Sequence, residues 1–341
     1  MAAELFIPPS PTVEDCWRGV VLYGRNTASY KFALASALLA LKPQSGELVK
    51  LEDLAPVFAR SIADHLKVAP KQITTTNGKF IQACLAFNQD GELSPLVDAA
   101  VAYGFANVID AFHIVGSSPV HHAFFVDERR ANRGVRITNE FSQMLAGLQA
   151  VNLGEEVAAR WSLVETAWNL GVSANLLSVQ HDESLGELFA IDASQRRRSV
   201  TSSRSALNGY QKGRCFYCGT ELQLVGERMN TDVDHFFPHR LKQSGLGVNL
   251  DGVWNLVLAC PSCNRGTNGK FDRIPSLKLL ERLYQRNEYL IGSHHPLRET
   301  LMQQTGTDPK VRIGFLNRIY QSVQLSPAMA WEPQSVDRSS I

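Results

Sequence analysis

Two Cys-x-x-Cys pairs restrict the fold of this chain more than any other feature. Cys215 and Cys218 form the first pair, and Cys260 and Cys263 form the second. Four thiols in two such pairs are typical of a closed, tetrahedral zinc site, with redox cysteines as the alternative. The segment between the pairs is longer than the roughly 15 to 20 residues of a compact zinc ribbon. The spacing therefore predicts a structural zinc ion that binds the ends of a sizeable insertion and contributes its binding energy to folding.

The composition excludes several classes of protein. Of the six cysteines, only Cys16 and Cys84 lie outside the pairs, which is poor material for a disulfide framework and predicts a cytoplasmic location. The N-terminus carries an acidic residue and prolines where an export signal needs basic residues and a long apolar run. The longest apolar stretch, 32–41, is about half of the roughly 20 residues that span a bilayer, so we expect no membrane insertion. The formal net charge of +1 means that any affinity for phosphate must be local.

The length of 341 residues predicts more than one folding unit, because single domains rarely exceed roughly 250 residues. Apolar residues recur with helical spacing in the N-terminal half, and we interpret these stripes as core rather than as ligand sites. The predicted organisation is a mostly helical N-terminal regulatory or targeting domain (1–195), a basic linker (196–214), a zinc-bound domain (215–275) and a C-terminal helical extension (276–341).

The insertion between the cysteine pairs brings a second set of polar residues. Asp234 and His235 stand in the run Asp-Val-Asp-His-Phe-Phe-Pro, Asn255 follows later, and Asn264 comes directly after the last cysteine. A carboxylate, an imidazole and an amide beside a zinc site suit a divalent ion that promotes attack on phosphodiesters. In this order of residues, the segment 214–271 resembles the HNH, or ββα-metal, endonuclease superfamily, in the subclass with two Cys-x-x-Cys zinc knuckles. The third histidine of the family is an asparagine here.

The resemblance implies a role for each residue. His235 matches the general base that takes a proton from the attacking water, a task that suits an imidazole because its unperturbed pKa lies near neutrality. Asp234 and Asn264 match the ligands of one magnesium or manganese ion, which neutralises charge on the phosphate and stabilises the departing 3′ oxygen. Asn255 matches the asparagine that braces the hairpin and thereby aims the histidine.

Positive residues around this motif are candidate contacts to nucleic acid. The basic linker carries six positive residues and no acidic one, and such a segment beside a nuclease would follow a phosphate backbone. The alternative is a solvated linker. Beyond the metal ligand, further positive residues would hold the phosphate, or would be exposed charges without a function. The candidate contacts are Arg196, Arg197, Arg198, Arg214, Arg265 and Lys270. Glycines at 266 and 269 predict that the last helix of the motif is short, irregular or late.

The predicted fold class is mainly α, with a small α+β (ββα-metal) nuclease domain, stapled by zinc, near the C-terminus. The resemblance implies a metal-dependent endonuclease that acts on DNA. The alternatives are an RNase and a catalytically inactive module that binds nucleic acid or a protein partner. A large N-terminal region ahead of such a nuclease resembles effectors of bacterial anti-phage defence systems of the Septu, Zorya or retron type, with a restriction or mobile-element role as the alternative. Under this analogy a protein partner or ligand controls the nuclease.

Overall fold

A computed structural model describes residues 11–23, 29–73, 77–115, 118–170, 179–191, 196–227, 229–244, 246–292, 297–323 and 330–333. The chain divides into two compact units, one over Pro11–Gly171 and one that includes Val172–Ile341. This division differs from the predicted boundary at 195. The physical reason is that strands on the two sides of residue 195 pair with each other in the second unit.

The first unit is mainly helical. Its core includes Phe32, Leu38, Phe58 and Ile62, all fully buried, which come from two of the apolar stripes seen in the sequence. The described helices are α1 (Val13–Arg18), α2 (Tyr30–Leu41), α3 (Leu51–Val68), α4 (Lys79–Asp90), α5 (Leu93–Ala99), α6 (Ala106–Ala111), α7 (Arg129–Asn132), α8 (Asn139–Ala146) and α9 (Ala150–Asn169), with π-helical turns at Gly19–Tyr23 and Ala100–Gly104. The described strands are β1 (Leu48–Lys50), β2 (Ile114–Val115), β3 (Ser118–Pro119), β4 (Phe125–Glu128) and β5 (Gly134–Ile137), paired in the orders β1-β5-β4 and β2-β3.

The second unit combines two small antiparallel sheets with helices. Its described strands are β6 (Gln180–Asp182), β7 (Glu187–Ile191), β8 (Arg197–Ser202), β9 (Asp232–His235) and β10 (Leu256–Ala259), and its described helices are α10 (Ser203–Gln211), α11 (Pro261–Arg265), α12 (Leu277–Gly292), α13 (Leu297–Thr305) and α14 (Pro309–Val323). One sheet has the order β6-β7-β8, and the other consists of β9 and β10. Short 3-10 helices at His239–Ser244 and Val253–Asn255 lie between the last two strands.

Residues 196–214, which the sequence predicts as a basic linker, are folded instead. They form β8 and α10, and β8 pairs with β7 over the register from Glu187–Ser202 to Ile191–Arg197. Val200, Ala206 and Leu207 are buried, so the segment has an apolar side. The sequence indicates a possible apolar side at Ala206, Leu207 and Tyr210, but the strand before it has a different period and the positive charge favours a linker.

The structure bears on two further predictions. A fold that is mainly α with small antiparallel sheets is confirmed, whereas the identity of the β9–β10 region as a nuclease domain stays a prediction. Among the residues that the structure describes, no helix combines the length and the apolar character needed to cross a lipid bilayer.

Candidate functional site

The four cysteines of the two pairs come together in the second unit. All four are buried, and one ligand atom from each lies within 4.8 Å of those of the others. The Sγ atoms of Cys218 and Cys260 are 3.8 Å apart. Bonds of about 2.3 Å to a tetrahedral zinc ion separate two sulfurs by about 3.8 Å, whereas a disulfide bond is only about 2.05 Å long. The cluster could therefore hold a metal such as zinc, as the spacing predicts.

Local backbone structure explains how each pair reaches the cluster. Gly219 follows the first pair with a φ of 78°, and its amide donates to the carbonyl of Cys215 (3.0 Å). Glycine adopts this left-handed conformation without steric cost. The second pair begins α11, whose first position is Pro261, where no amide hydrogen is needed. The amide of Cys260 donates to the sulfur of Cys215 (3.3 Å), which connects the two pairs directly.

Strands β9 and β10 pair between the two cysteine pairs, and α11 follows at once. The strands are antiparallel, with His235 opposite Leu256. Helix α11 has only five residues, in agreement with the predicted short helix. A Cβ atom on Gly266 would lie 2.6 Å from the carbonyl oxygen of Ser262, so the chain leaves the helix at a position where only glycine fits. The local order is therefore strand, strand and short helix.

Asn255 is fully buried and closes the connection between the two strands. Its side-chain oxygen accepts from the amide of Phe237 (2.8 Å), and its side-chain nitrogen donates to the carbonyls of Phe237 (3.0 Å) and Leu250 (2.8 Å). Because Phe237 lies two residues after His235, these bonds fix the backbone that leaves β9. These contacts hold the backbone next to His235, and the bracing role that the resemblance implies stays a prediction.

We expect Asn255→Ala to lower the free energy of unfolding by about 3 kcal/mol or more, because it leaves three buried backbone groups without partners at roughly 1–3 kcal/mol each. Urea denaturation followed by circular dichroism measures the loss. Asn268→Ala is the matched control, since this side chain is exposed and its removal should change the stability by less than about 0.5 kcal/mol. Equal stabilities of the two variants would contradict the bracing role.

Helix α12 supports both the strand connection and the first cysteine pair. The buried Arg286 and Asn287 donate to the carbonyl of Trp254 (3.1 and 3.2 Å). Arg282 donates to the carbonyl of Phe216 (2.7 Å), within the first cysteine pair. The predicted C-terminal extension thus belongs to the same compact unit as the strand pair and holds its backbone in place.

Asp234 and His235 are the last two residues of β9, and they contact different groups. Asp234 is buried, and both of its carboxylate oxygens have partners. The hydroxyl of Tyr217 donates to one (2.5 Å) and the ammonium of Lys270 to the other (3.1 Å). Burial raises the pKa of Asp234 and lowers the pKa of Lys270, although their attraction opposes both shifts. Since Tyr217 lies between Cys215 and Cys218, this contact joins the cysteine cluster to β9.

His235 is buried against Asp251. The Nε2 atom of His235 lies 3.2 Å from one carboxylate oxygen of Asp251, and Lys242 donates to the other oxygen (2.6 Å). Burial works to raise the pKa of Asp251, but the hydrogen bond and charge of Lys242 outweigh it and lower the pKa overall. An ionised carboxylate only accepts hydrogen bonds, so Nε2 carries the hydrogen and Nδ1 keeps its lone pair. Burial is the main cause that lowers the pKa of His235 to about 4, so the imidazole is neutral at pH 7 and can accept a proton.

Asn264 contacts the first residue of β9. Its side-chain nitrogen is 3.1 Å from a carboxylate oxygen of Asp232, to which the guanidinium of Arg265 also donates (2.8 Å). These residues line a cavity of about 260 Å³ together with His181. Carboxylate and amide oxygens are the kinds of ligand that hard divalent cations take, and in this conformation the Asp232 carboxylate is paired with Arg265. The carboxylate in contact with Asn264 is Asp232, whereas the resemblance implies Asp234.

Four of the six candidate nucleic-acid contacts are paired with acidic residues, three of them at close range. Arg197 pairs with Asp182, and Arg265 pairs with Asp232. Lys270 pairs with Asp234 and is fully buried, so in this conformation its ammonium does not reach solvent. Any contact of these residues with phosphate competes with an internal partner.

The other three candidates differ in their environment. Arg214 is partly exposed, lies 3.9 Å from a carboxylate oxygen of Glu221 and donates to the carbonyl of Gly219 (3.2 Å). Arg196 is exposed, and the side chain of Arg198 lies outside the described part of the structure. Among the described side chains of the six, those of Arg196, Arg197 and Arg265 are exposed.

Three residues next to the predicted site have no place in the sequence motif. Tyr217 binds Asp234, Asp251 binds His235, and the ring centroid of His181 lies 5.9 Å from that of His235. In the sequence, Tyr217 could have been found from its position inside the first cysteine pair, and Asp251 from its position shortly before Asn255. His181 has no local signal, because it comes from a strand of another sheet.

No family model, no curated protein and no solved structure matches this chain. Its function is therefore inferred from the side chains of the strand pair and their contacts.

Proposed function

We propose that this protein is a metal-dependent endonuclease that hydrolyses DNA, with its active site at β9. One observation carries the proposal. A buried imidazole, paired with Asp251, lies on the same short strand as Asp232, which contacts Asn264. A base and a set of cation ligands within one strand and the helix beside it are the groups that hydrolysis of a phosphodiester needs.

His235 acts as the general base in the proposed reaction. Its Nδ1 atom takes a proton from the water whose oxygen bonds to phosphorus, and Asp251 stabilises the imidazolium that forms. The bond between phosphorus and the 3′ oxygen breaks, and the 3′ oxygen takes a proton from solvent. The products are a 5′-phosphate and a 3′-hydroxyl. A magnesium or manganese ion, when bound, would neutralise charge on the phosphate and on the departing oxygen.

The four-cysteine cluster has a supporting role in this proposal. A zinc ion there would fix the backbone on both sides of the strand pair, since one cysteine pair precedes β9 and the other follows β10. The hydrogen bond from Tyr217 to Asp234 extends that support to the side chains of β9. The zinc ion would stay outside the reaction because four thiolates fill its coordination sphere.

The experiment that tests the proposal compares end-labelled DNA and RNA of one sequence, each single-stranded and double-stranded, with magnesium or manganese. We expect cleavage of DNA, with 5′-phosphate and 3′-hydroxyl ends. Cleavage of RNA alone would replace the proposal with an RNase. Tight binding without cleavage under either ion would support the alternative of an inactive nucleic-acid-binding module.

We infer that Asp232 joins Asn264 and Asp234 as a ligand of the catalytic cation. Asn264→Ala and Asp232→Asn should each raise the magnesium concentration for half-maximal cleavage by roughly tenfold or more. A loss of metal affinity of this size is expected even for residues that only hold a ligand in place. Magnesium titrations of the initial cleavage rate measure this shift. Asp234→Asn should shift the titration as well, and it also removes the partner of Lys270.

Asp98→Asn is the matched control for these titrations, because Asp98 is an exposed aspartate of α5. It should leave the magnesium requirement unchanged. If Asp232→Asn behaves like this control while Asp234→Asn does not, Asp232 is removed from the ligand set and the pairing of Asp234 with Asn264 stands. If Asn264→Ala behaves like the control, the cation site lies elsewhere.

A further inference from the structure

His181 is a buried histidine whose ring has no hydrogen-bond partner. It lies on β6, opposite Leu188 of β7, and only 7% of its surface is exposed. Neither Nδ1 nor Nε2 has a partner among the described residues. Native proteins leave few buried polar side chains unpaired, because the group loses its bonds to water and gains none in return. A bound ligand that supplies the missing hydrogen-bond partner would explain why this ring is buried without one.

Two cavities share His181 as part of their walls. One, of about 260 Å³, is also lined by Asp232 and Asn264. The other, of about 540 Å³, is also lined by Lys242 and Asp251. The ring of His181 lies beside that of His235, with centroids 5.9 Å apart. His181 therefore stands between the proposed base and the proposed cation ligands, on the wall that faces β9.

The surroundings of His181 decide between a metal ligand and a hydrogen-bond donor. Negative groups near the ring are Asp251, Glu183 and Asp182, and Lys242 is the nearby positive group. Lys242 pairs with Asp251 (2.6 Å). Among the described residues, ligand atoms of histidine, cysteine and carboxylates gather closely only at the four cysteines. Burial lowers the pKa of His181, which leaves a neutral ring with one N–H to donate.

We propose that His181 is a further catalytic residue, which donates a hydrogen bond to a non-bridging oxygen of the phosphodiester that lies between His235 and Asn264. The inference rests on the proposed function. As the water oxygen bonds to phosphorus and the bond to the 3′ oxygen breaks, negative charge grows on the non-bridging oxygens. The N–H of His181 stabilises this charge, and no proton leaves the ring. The proton of the attacking water goes to His235.

The test compares His181→Phe and His181→Gln with the wild-type protein in steady-state cleavage of a DNA duplex. Phenylalanine keeps a planar ring for packing against His235 but has no N–H, whereas glutamine restores a donor. We expect His181→Phe to lower kcat by roughly 10²-fold, the loss typical of one donor to a developing negative charge, with a much smaller change in KM. His181→Gln should recover part of the rate. His121→Phe, at an exposed histidine, is the matched control.

A phosphorothioate substrate gives a readout that packing does not change. Sulfur at the non-bridging position that His181 contacts should slow the wild-type protein, and the same substitution should have a smaller effect on His181→Phe, because the bond is already lost. Circular dichroism and zinc content check that both variants are folded. If the phenylalanine variant does not fold, the cleavage rate of the glutamine variant and the phosphorothioate effect on the wild-type protein are the remaining measurements.

The outcomes separate this inference from the proposed function. If the wild-type protein cuts DNA, His235→Ala does not, and both His181 variants cut at the wild-type rate, the role of His181 is overturned and the nuclease stands. Equal losses in His181→Phe and His181→Gln, with equal phosphorothioate effects, would reduce His181 to packing and also overturn the inference. A wild-type protein that cuts no nucleic acid overturns both.

Discussion

We expect His235→Ala to lower the rate of DNA cleavage by roughly 10²–10⁴-fold, the range typical for the loss of a general base. His235 is buried beside Asp251, which holds its Nε2 and leaves Nδ1 to accept the proton of water. Alanine removes the proton acceptor, and the neighbouring rings of His181 and His239 lie on other elements, with centroids 5.9 and 5.6 Å from that of His235. The initial rate of nicking of a supercoiled plasmid with magnesium measures the effect.

The pH dependence of the same reaction gives an independent check on His235. Burial lowers the pKa of His235 to about 4, and only the neutral ring accepts a proton. Values of kcat/KM for the wild-type protein should therefore be constant near neutrality and fall as the pH drops through about 4, whereas the residual activity of His235→Ala should lack this decline.

His121→Ala is the control for His235→Ala, because His121 is exposed in the other unit. It should nick the plasmid at the wild-type rate, and His235→Ala should keep the circular dichroism spectrum and the zinc content of the wild-type protein. Equal nicking by the wild-type protein and by a folded His235→Ala would remove His235 from the reaction and the proposed hydrolytic site with it.

The parts of the site that sequence could predict depend on local geometry. Two residues between cysteines fix the turn that brings the two sulfurs of a pair to one point, so the geometry of each pair follows from spacing. The cluster of all four also needs contacts between segments 42 residues apart. The short helix after the second pair follows from Gly266 in the same way. The turn of each cysteine pair and the short helix need only neighbouring residues, and the structure contains both.

The partners of the side chains at the proposed site could not be predicted from the sequence, because they depend on contacts between distant segments. His181 reaches His235 only because β6, in a separate three-stranded sheet, packs beside β9. Asp251 stands in a polar turn that is like many surface turns until the fold places it against His235. No local period or motif marks either residue.

Formal charge is a poor guide to exposure in this chain. Lys270 carries a charge and follows the metal-ligand motif, which suggests a phosphate contact, yet its side chain is fully buried against Asp234. The loss of hydration that such burial causes is offset by the pairing of two opposite charges and by the carbonyl of Phe271, which also accepts from the ammonium (3.1 Å). The sequence contains the charge of Lys270 but not the site of its partner.

We expect Cys263→Ala to remove the bound zinc and to unfold most of the second unit. The four buried sulfurs lie at the spacing of a tetrahedral site, and structural zinc contributes roughly 10–16 kcal/mol of binding energy in small zinc domains. That energy is comparable to the whole stability of a typical domain, about 5–15 kcal/mol. Zinc content after gel filtration and the thermal unfolding of the second unit measure the loss, and cleavage should disappear as well because Tyr217 no longer holds Asp234.

Cys84→Ala is the matched control for Cys263→Ala, since Cys84 is a fully buried cysteine of the first unit. It removes a similar volume from a core but no metal ligand, so it should keep zinc and lose at most a few kcal/mol of stability. A Cys263→Ala protein that is folded, cuts DNA and matches Cys84→Ala in metal content would contradict a structural zinc ion. The cluster would then be a set of reduced thiols, and the energy that orders the strand pair would come from its buried side chains alone.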